Sequence, residues 1–149
     1  MSRASPKLRA FAERLIAYET MGNKSSKSKI PAAFHVCEKL RPHLATLMGN
    51  SGFRALLSRA LAVAGAEIPW LRALHVKTNG ALEGWEETDP PIRSAALFEG
   101  SVVLLAQLIG LLVVFIGEKL TLRLVNEAWP KLSLNDLDLG AGDTNEEAK

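Results

Sequence analysis

Apolar residues recur every three or four positions along the first half of the chain, the spacing of one face of a helix. The first apolar stripe runs over residues 8–21 and follows Pro6, a residue suited to the first turn of a helix. A second stripe covers residues 33–47 and a third covers residues 53–64, with the turn-forming residues 49–52 between them. The pattern therefore predicts three amphipathic helices.

The pattern weakens after the third stripe. Residues 74–78 alternate between apolar and polar side chains and Asn79-Gly80 follows them, which is a local signal for a β-hairpin. The returning residues 81–85 make a poor strand, so a hairpin and a connector between helices are both open. Residues 86–91 are acidic and end in two prolines, which indicates a linker.

The last predicted element is apolar on nearly every side. Residues 92–129 contain no proline, and residues 101–117 contain no charge, so a helix here must be enclosed by other helices or by lipid. The charge-free stretch reaches about 25 Å at 1.5 Å per residue, less than the roughly 30 Å of a bilayer core. We therefore predict an all-α bundle of amphipathic helices around one central apolar helix at residues 92–129, continuous or broken into two. A membrane span is the alternative.

Length and composition indicate one domain. A chain of 149 residues with 48% apolar side chains can close a single core, which we place at residues 1–134. Residues 135–149 are polar and acidic and are predicted to form a disordered tail. Cys37 is the single cysteine, which excludes an intramolecular disulfide and favours the reducing cytoplasm.

Charge is divided unevenly along the chain. Residues 1–80 hold 13 Lys/Arg and 4 Asp/Glu, a net +9, whereas residues 81–149 hold 5 and 12, a net −7. The two sums give the overall +2. Such a chain can pack against itself or attract an anionic partner, and solvated loops with an acidic tail explain the division equally well.

The sequence offers no catalytic or metal-binding motif. His35, Cys37 and His43 do not share one face of a helix, so they do not form a metal site, and the usual nucleophile, zinc and phosphate signatures are missing. We expect no enzymatic activity and no cofactor. Five basic residues could contact nucleic acid, but no binding motif and no set of aromatic residues for base stacking accompany them, so nucleic acid is not an expected partner. They are Lys24, Lys27, Lys29, Arg54 and Arg59.

Four segments together resemble a known family. They are the helix at residues 8–18, the helix at residues 37–47, the stretch 74–76 before a polar turn, and residues 97–100 leading into an apolar helix that closes at residues 114–117. In this order they resemble the Bcl (B-cell lymphoma two) family of apoptosis regulators.

The resemblance implies a non-catalytic, anti-apoptotic protein whose hydrophobic groove binds the amphipathic helix of a pro-apoptotic partner. The groove would lie between the second and third helices and the start of the apolar one. Its expected lining is Leu40, Leu44, Leu47, Phe53, Leu57, Leu61, Leu97, Phe98 and Gly100. A homodimer is a further expected assembly, and the expected location is the cytoplasm or, alternatively, the surface of mitochondria or another intracellular membrane.

The sequence departs from the family in three places. The Asn-Trp-Gly-Arg signature is missing and Val-Leu-Leu-Ala stands near its place at residues 103–106, which removes the arginine that pairs with a ligand aspartate in the family. The second homology segment is reduced to Trp129 and Pro130, and no membrane anchor follows it. The alternatives are a single-pass membrane protein with a cytoplasmic helical head and a generic self-associating helical module.

Overall fold

A computed structural model describes residues 6–22, 32–78, 82–84 and 94–129. The predicted all-α class is confirmed in these ranges, where one short hairpin interrupts the helices. The elements are α1 (Pro6–Gly22), α2 (Ala32–Glu67), a 3₁₀ helix (Pro69–Ala73), β1 (His75–Val76), β2 (Leu82–Glu83), α3 (Ser94–Ile116) and α4 (Glu118–Ala128). The predicted linker at residues 86–91 and the predicted tail at residues 135–149 lie outside the described residues.

The second and third predicted helices form one bent element, α2. No separate turn divides them, and Asn50, Ser51 and Gly52 already belong to the second helical segment. The bend is at Gly49, whose φ of 81° and ψ of 161° lie in a region that is essentially restricted to glycine. Both segments of α2 can therefore present their apolar faces to the same core.

The alternating segment forms the hairpin. Strands β1 and β2 pair antiparallel, with His75 opposite Glu83 and Val76 opposite Leu82. The Nε2 atom of His75 lies 2.6 Å from a carboxylate oxygen of Glu83, and Nζ of Lys77 lies 3.8 Å from the other oxygen. Cross-strand polar contacts therefore support a strand that its own sequence favours weakly.

Helix α3 contributes a continuous stretch of buried residues to the hydrophobic core, to which α2 contributes the larger number of residues. It packs against α1, α2 and α4, and its residues 101–106 are all buried. The apolar stretch then divides at Gly117, which has a φ of 89° and separates α3 from α4. Of the described helices, α3 is the one long and apolar enough to cross a bilayer, over Ala96–Ile116, and 56% of its most apolar window is buried within the fold.

Polar contacts join the outer helices to α2 and α3. Arg9 on α1 lies 2.9 Å from a carboxylate oxygen of Glu99 on α3 and 3.9 Å from one of Glu67 on α2. At the other side, the ammonium group of Lys39 lies 5.7 Å from the ring centroid of the buried Trp129, which follows α4. These contacts hold α1 and α4 beside the same core.

Candidate functional site: a groove along α2

A groove runs along the second segment of α2, between this helix and the segment formed by the 3₁₀ helix and β1. It consists of two adjoining clefts of about 360 and 510 Å³ that share Ser58 and Val76. Along α2 the groove extends from Ser51 to Gly65, roughly 21 Å at 1.5 Å per residue. This length corresponds to about four turns of a bound helix. We refer to it as the α2 groove.

The helix side of the α2 groove is built from small residues. Ala55, Ser58, Ala62 and Gly65 follow one another at offsets of three, four and three, so they share one face of α2. The small side chains at Ala55, Ser58 and Ala62 leave room for another backbone to approach, whereas the side chain of Arg72 packs against Gly65. The opposite wall is lined by Leu71, Leu74 and Val76; of these, Val76 is partly exposed, and the two leucines are buried, as is Leu61 on α2.

An arginine stands near each end of the α2 groove. Arg54 donates from Nη1 to the carbonyl oxygen of Thr78 at 3.2 Å, and Arg72 donates from Nε to the carbonyl oxygen of Gly65 at 3.0 Å. Within the described ranges no carboxylate forms an ion pair with either arginine. A guanidinium carries five N–H donors, so both groups retain donors for an acidic ligand.

Two acidic residues beside this region already have partners. Glu83 on β2 contacts both His75 and Lys77, and Glu67 at the end of α2 lies 3.9 Å from Arg9. The rim of the α2 groove is therefore basic, in keeping with the positive first half of the sequence. An anionic or acidic partner fits this charge.

The structure places the nine predicted groove residues in several different environments. Leu40, Leu44, Phe53 and Leu57 are fully buried and lie together in the core. Of the nine, Leu61 is the residue that lines the α2 groove. A charge at Leu44 or Leu57 is therefore expected to unfold the protein.

Leu47 and the three predicted positions on α3 lie elsewhere. Leu47 is 45% exposed and lines a separate cleft between α2 and α4, with His43 and Leu124. Phe98 is 48% exposed and Leu97 is half-buried, and neither lines the α2 groove.

Gly100 is buried beneath the indole ring of Trp70. A Cβ atom at this position would lie 2.4 Å from the ring, and Nε1 of Trp70 donates to the carbonyl oxygen of Ala96 at 3.1 Å. The indole therefore covers the start of α3, where the sequence had predicted a groove wall. The second wall of the α2 groove comes from the 3₁₀ helix and β1 instead.

Sequence reasoning missed Arg72 and the stripe of small residues on α2. The three- and four-residue spacing of that stripe is readable from the sequence, but small residues at helical spacing do not by themselves indicate a groove. Arg72 carried no such signal, because a 3₁₀ helix brings it to Gly65 and no periodicity predicts that contact.

The described residues contain no arrangement suited to metal chemistry. No group of three or more His, Cys, Asp or Glu side chains among them could hold a metal ion. Burial raises the pKa of the Cys37 thiol to about 12, so this thiol stays protonated and unreactive at neutral pH. The α2 groove is suited to binding another molecule through apolar and basic contacts.

Comparisons with known proteins give no further identification. No protein-family model matches the chain, and no curated protein and no solved structure matches it either. A functional assignment therefore depends on the geometry and charge of the α2 groove.

Proposed function

We propose that this protein is a non-catalytic, anti-apoptotic regulator that binds amphipathic pro-death helices in the α2 groove. The observation that carries the proposal is a groove about four turns long with small residues on one wall, apolar residues on the other and an arginine near each end. The resemblance of the sequence to the Bcl family supplies the class of ligand. Sequestering such helices would suppress cell death without any chemical reaction.

The ligand would dock by placing its apolar face between α2 and the opposite wall. An amphipathic helix presents apolar residues at positions i, i+3, i+4 and i+7, and burial of these anchors is the main source of affinity in helix-in-groove binding. Val76, which is partly exposed, offers apolar contact together with the edges of the buried Leu71 and Leu74, and the exposed Ala62 leaves space for the ligand backbone.

The two arginines would select acidic positions on the ligand. Arg54 lies on α2 and Arg72 lies at the level of Gly65, so the two are separated by eleven positions along the helix, roughly 16 Å. A ligand helix with acidic residues about three turns apart would meet both. The chain lacks the Asn-Trp-Gly-Arg signature and therefore the signature's arginine, which pairs with a ligand aspartate in the family. In this proposal Arg54 and Arg72 take over that pairing.

Calorimetric titration with a panel of synthetic pro-death helices tests the proposal. Each helix is compared with a scrambled peptide of the same composition, and we expect sub-micromolar binding of at least one native sequence. If the protein binds none of the helices although its circular dichroism spectrum shows that it is folded, the proposed function is contradicted. A generic interaction module would then be the remaining interpretation.

Two variants locate the bound helix. Ala62→Glu places a charge inside the α2 groove and Arg72→Glu reverses the charge at its rim, and each is expected to weaken binding at least about tenfold, which corresponds to 1.4 kcal/mol. Ala17→Glu and Arg14→Glu are matched controls on exposed positions of α1. Unchanged affinity in both groove variants would contradict this location for the ligand.

A further inference from the structure

The corner between α3 and α4 exposes large apolar side chains. Val114 is 81% exposed and Phe115 is 69% exposed, although residues 102–106 of the same helix are fully buried. Gly117 follows them, and a Cβ atom at that glycine would meet no atom of the described chain within 4 Å. The corner therefore projects into open space instead of lining a pocket.

Two cations follow this apolar corner on α4. Lys119 and Arg123 are both exposed and are separated by four positions, so they share one face of the helix. Glu118 is the acidic residue of the same turn and is half-buried. The exposed Glu127 stands one turn further along the same face and lies 3.6 Å from Nδ1 of His43 on α2, so the two exposed charges nearest the corner are both cations.

The exposed apolar area is too small for a stable interface between two copies. A fully exposed aromatic side chain offers roughly 150–250 Å². Val114 and Phe115 together therefore offer only a few hundred Å², compared with about 800 Å² per partner in a typical stable complex. Docking to a bilayer does not require an apolar surface of that size, because lipids can enclose a projecting apolar corner.

We propose that the α3–α4 corner is a peripheral membrane-docking site for bilayers containing anionic lipids. Val114 and Phe115 enter the boundary between headgroups and acyl chains, and Lys119 and Arg123 contact the lipid phosphates. Residues 101–106 of α3 stay buried in the fold, so docking differs from a transmembrane span of the same helix. The site is separate from the α2 groove and does not depend on the proposed function.

Flotation with lipid vesicles tests the proposal. The full chain is mixed with vesicles of phosphatidylcholine alone or of phosphatidylcholine with phosphatidylglycerol, and we expect binding to the anionic vesicles that decreases as salt is added. The double variant Val114→Ser/Phe115→Ser is expected to lower the bound fraction at least about tenfold. Phe98→Ser is the matched control, because Phe98 is an exposed aromatic at the other end of α3.

Charge variants separate lipid binding from other apolar association. Lys119→Glu/Arg123→Glu is expected to reduce binding to anionic vesicles by more than about fivefold per charge. Arg14→Glu, on an exposed position of α1, should leave it unchanged.

Two results would overturn the proposal. One is that the folded protein does not bind anionic vesicles, or that the Val114→Ser/Phe115→Ser variant binds them as well as the parent protein does. The other is a concentration-dependent mass in light scattering that Phe115→Ser abolishes, together with no vesicle binding, which would assign the corner to a second copy of the chain.

Discussion

The middle and the C-terminal end of α3 have nearly the same composition and opposite surroundings. Its middle part, residues 101–109, is buried apart from the partly exposed Gln107, whereas Val114 and Phe115 near its end are largely exposed. Both parts are rich in Val, Leu and Ile or Phe, and no charge separates them. The difference shows that hydrophobic composition alone does not determine where a helix is buried.

The neighbouring helices account for the difference. The middle part of α3 lies among α1, α2 and α4, which fill the space around every turn. The last turn extends to the corner at Gly117, where the chain reverses into α4 and leaves the outer side uncovered. The four predictions below test this contrast, from the largest effect to the smallest.

The largest effect is expected from a charge placed in the buried part of α3. Leu108→Asp puts a carboxylate into a fully apolar environment and should cost more than about 4 kcal/mol, enough to unfold a domain with ordinary stability. Val114→Asp, on the exposed end of the same helix, should change stability by less than about 1 kcal/mol. Urea denaturation followed by circular dichroism measures both, and equal costs would refute the contrast.

A methyl group added at Gly100 is expected to have the next largest effect. Gly100→Ala would force the Trp70 indole away from α3 and should destabilise the protein by about 1–3 kcal/mol. Gly110→Ala, on the same helix, is the matched control, because the added carbon meets only the terminal Cδ1 atom of the Leu8 side chain. Combining Gly100→Ala with Trp70→Ala should cost less than the sum of the two, and strict additivity would argue against this contact.

The pH dependence of stability reports on the core beneath α3. The pKa of Cys37 is raised from 9.0 to about 12 because burial disfavours the thiolate. This contribution to stability is fully present below pH 9 and is lost as the pH rises from 9 towards 12, by at most about 1.4 kcal/mol per pH unit. The difference between the parent and Cys37→Ala in urea titrations isolates this contribution, and parallel curves would show that the thiol is not buried.

The smallest effect is expected at the exposed start of α3. Glu99→Gln removes the charge partner of Arg9, but both side chains are partly exposed and solvent screens the pair. We expect a loss of about 0.5 kcal/mol, which added salt should diminish. Glu13→Gln, an exposed carboxylate on α1, is the control for the change in net charge.

Much of the local structure was predictable because it depends on neighbouring residues. The period of three to four residues predicted α1 and both segments of α2. Asn79-Gly80 indicated a β-hairpin, which was one of the two structures left open for residues 74–85 and is the one observed. The bend at Gly49 replaced the predicted four-residue turn, since a single non-helical glycine with positive φ redirects the chain between two helical segments. The division of the last element at Gly117 has the same origin.

The site was less predictable because it depends on contacts between distant segments. Leu44 and Leu57 were predicted groove residues, but an apolar face looks the same in sequence whether a ligand or the core covers it. Trp70 covers Gly100 from another element, thirty positions earlier in the chain. These contacts replaced the expected wall on α3 with a wall from the 3₁₀ helix and β1.

The sequence by itself determined that the chain is helical, that residues 101–117 are its most apolar segment and that its first half is basic. These properties follow from the spacing and type of residues that are near neighbours in the chain. Only the tertiary structure decided which apolar faces are covered, since burial depends on the elements that pack against a face. The basic α2 groove and the exposed corner at Val114 and Phe115 are two of the surfaces that this packing leaves accessible for a partner in the described part of the chain.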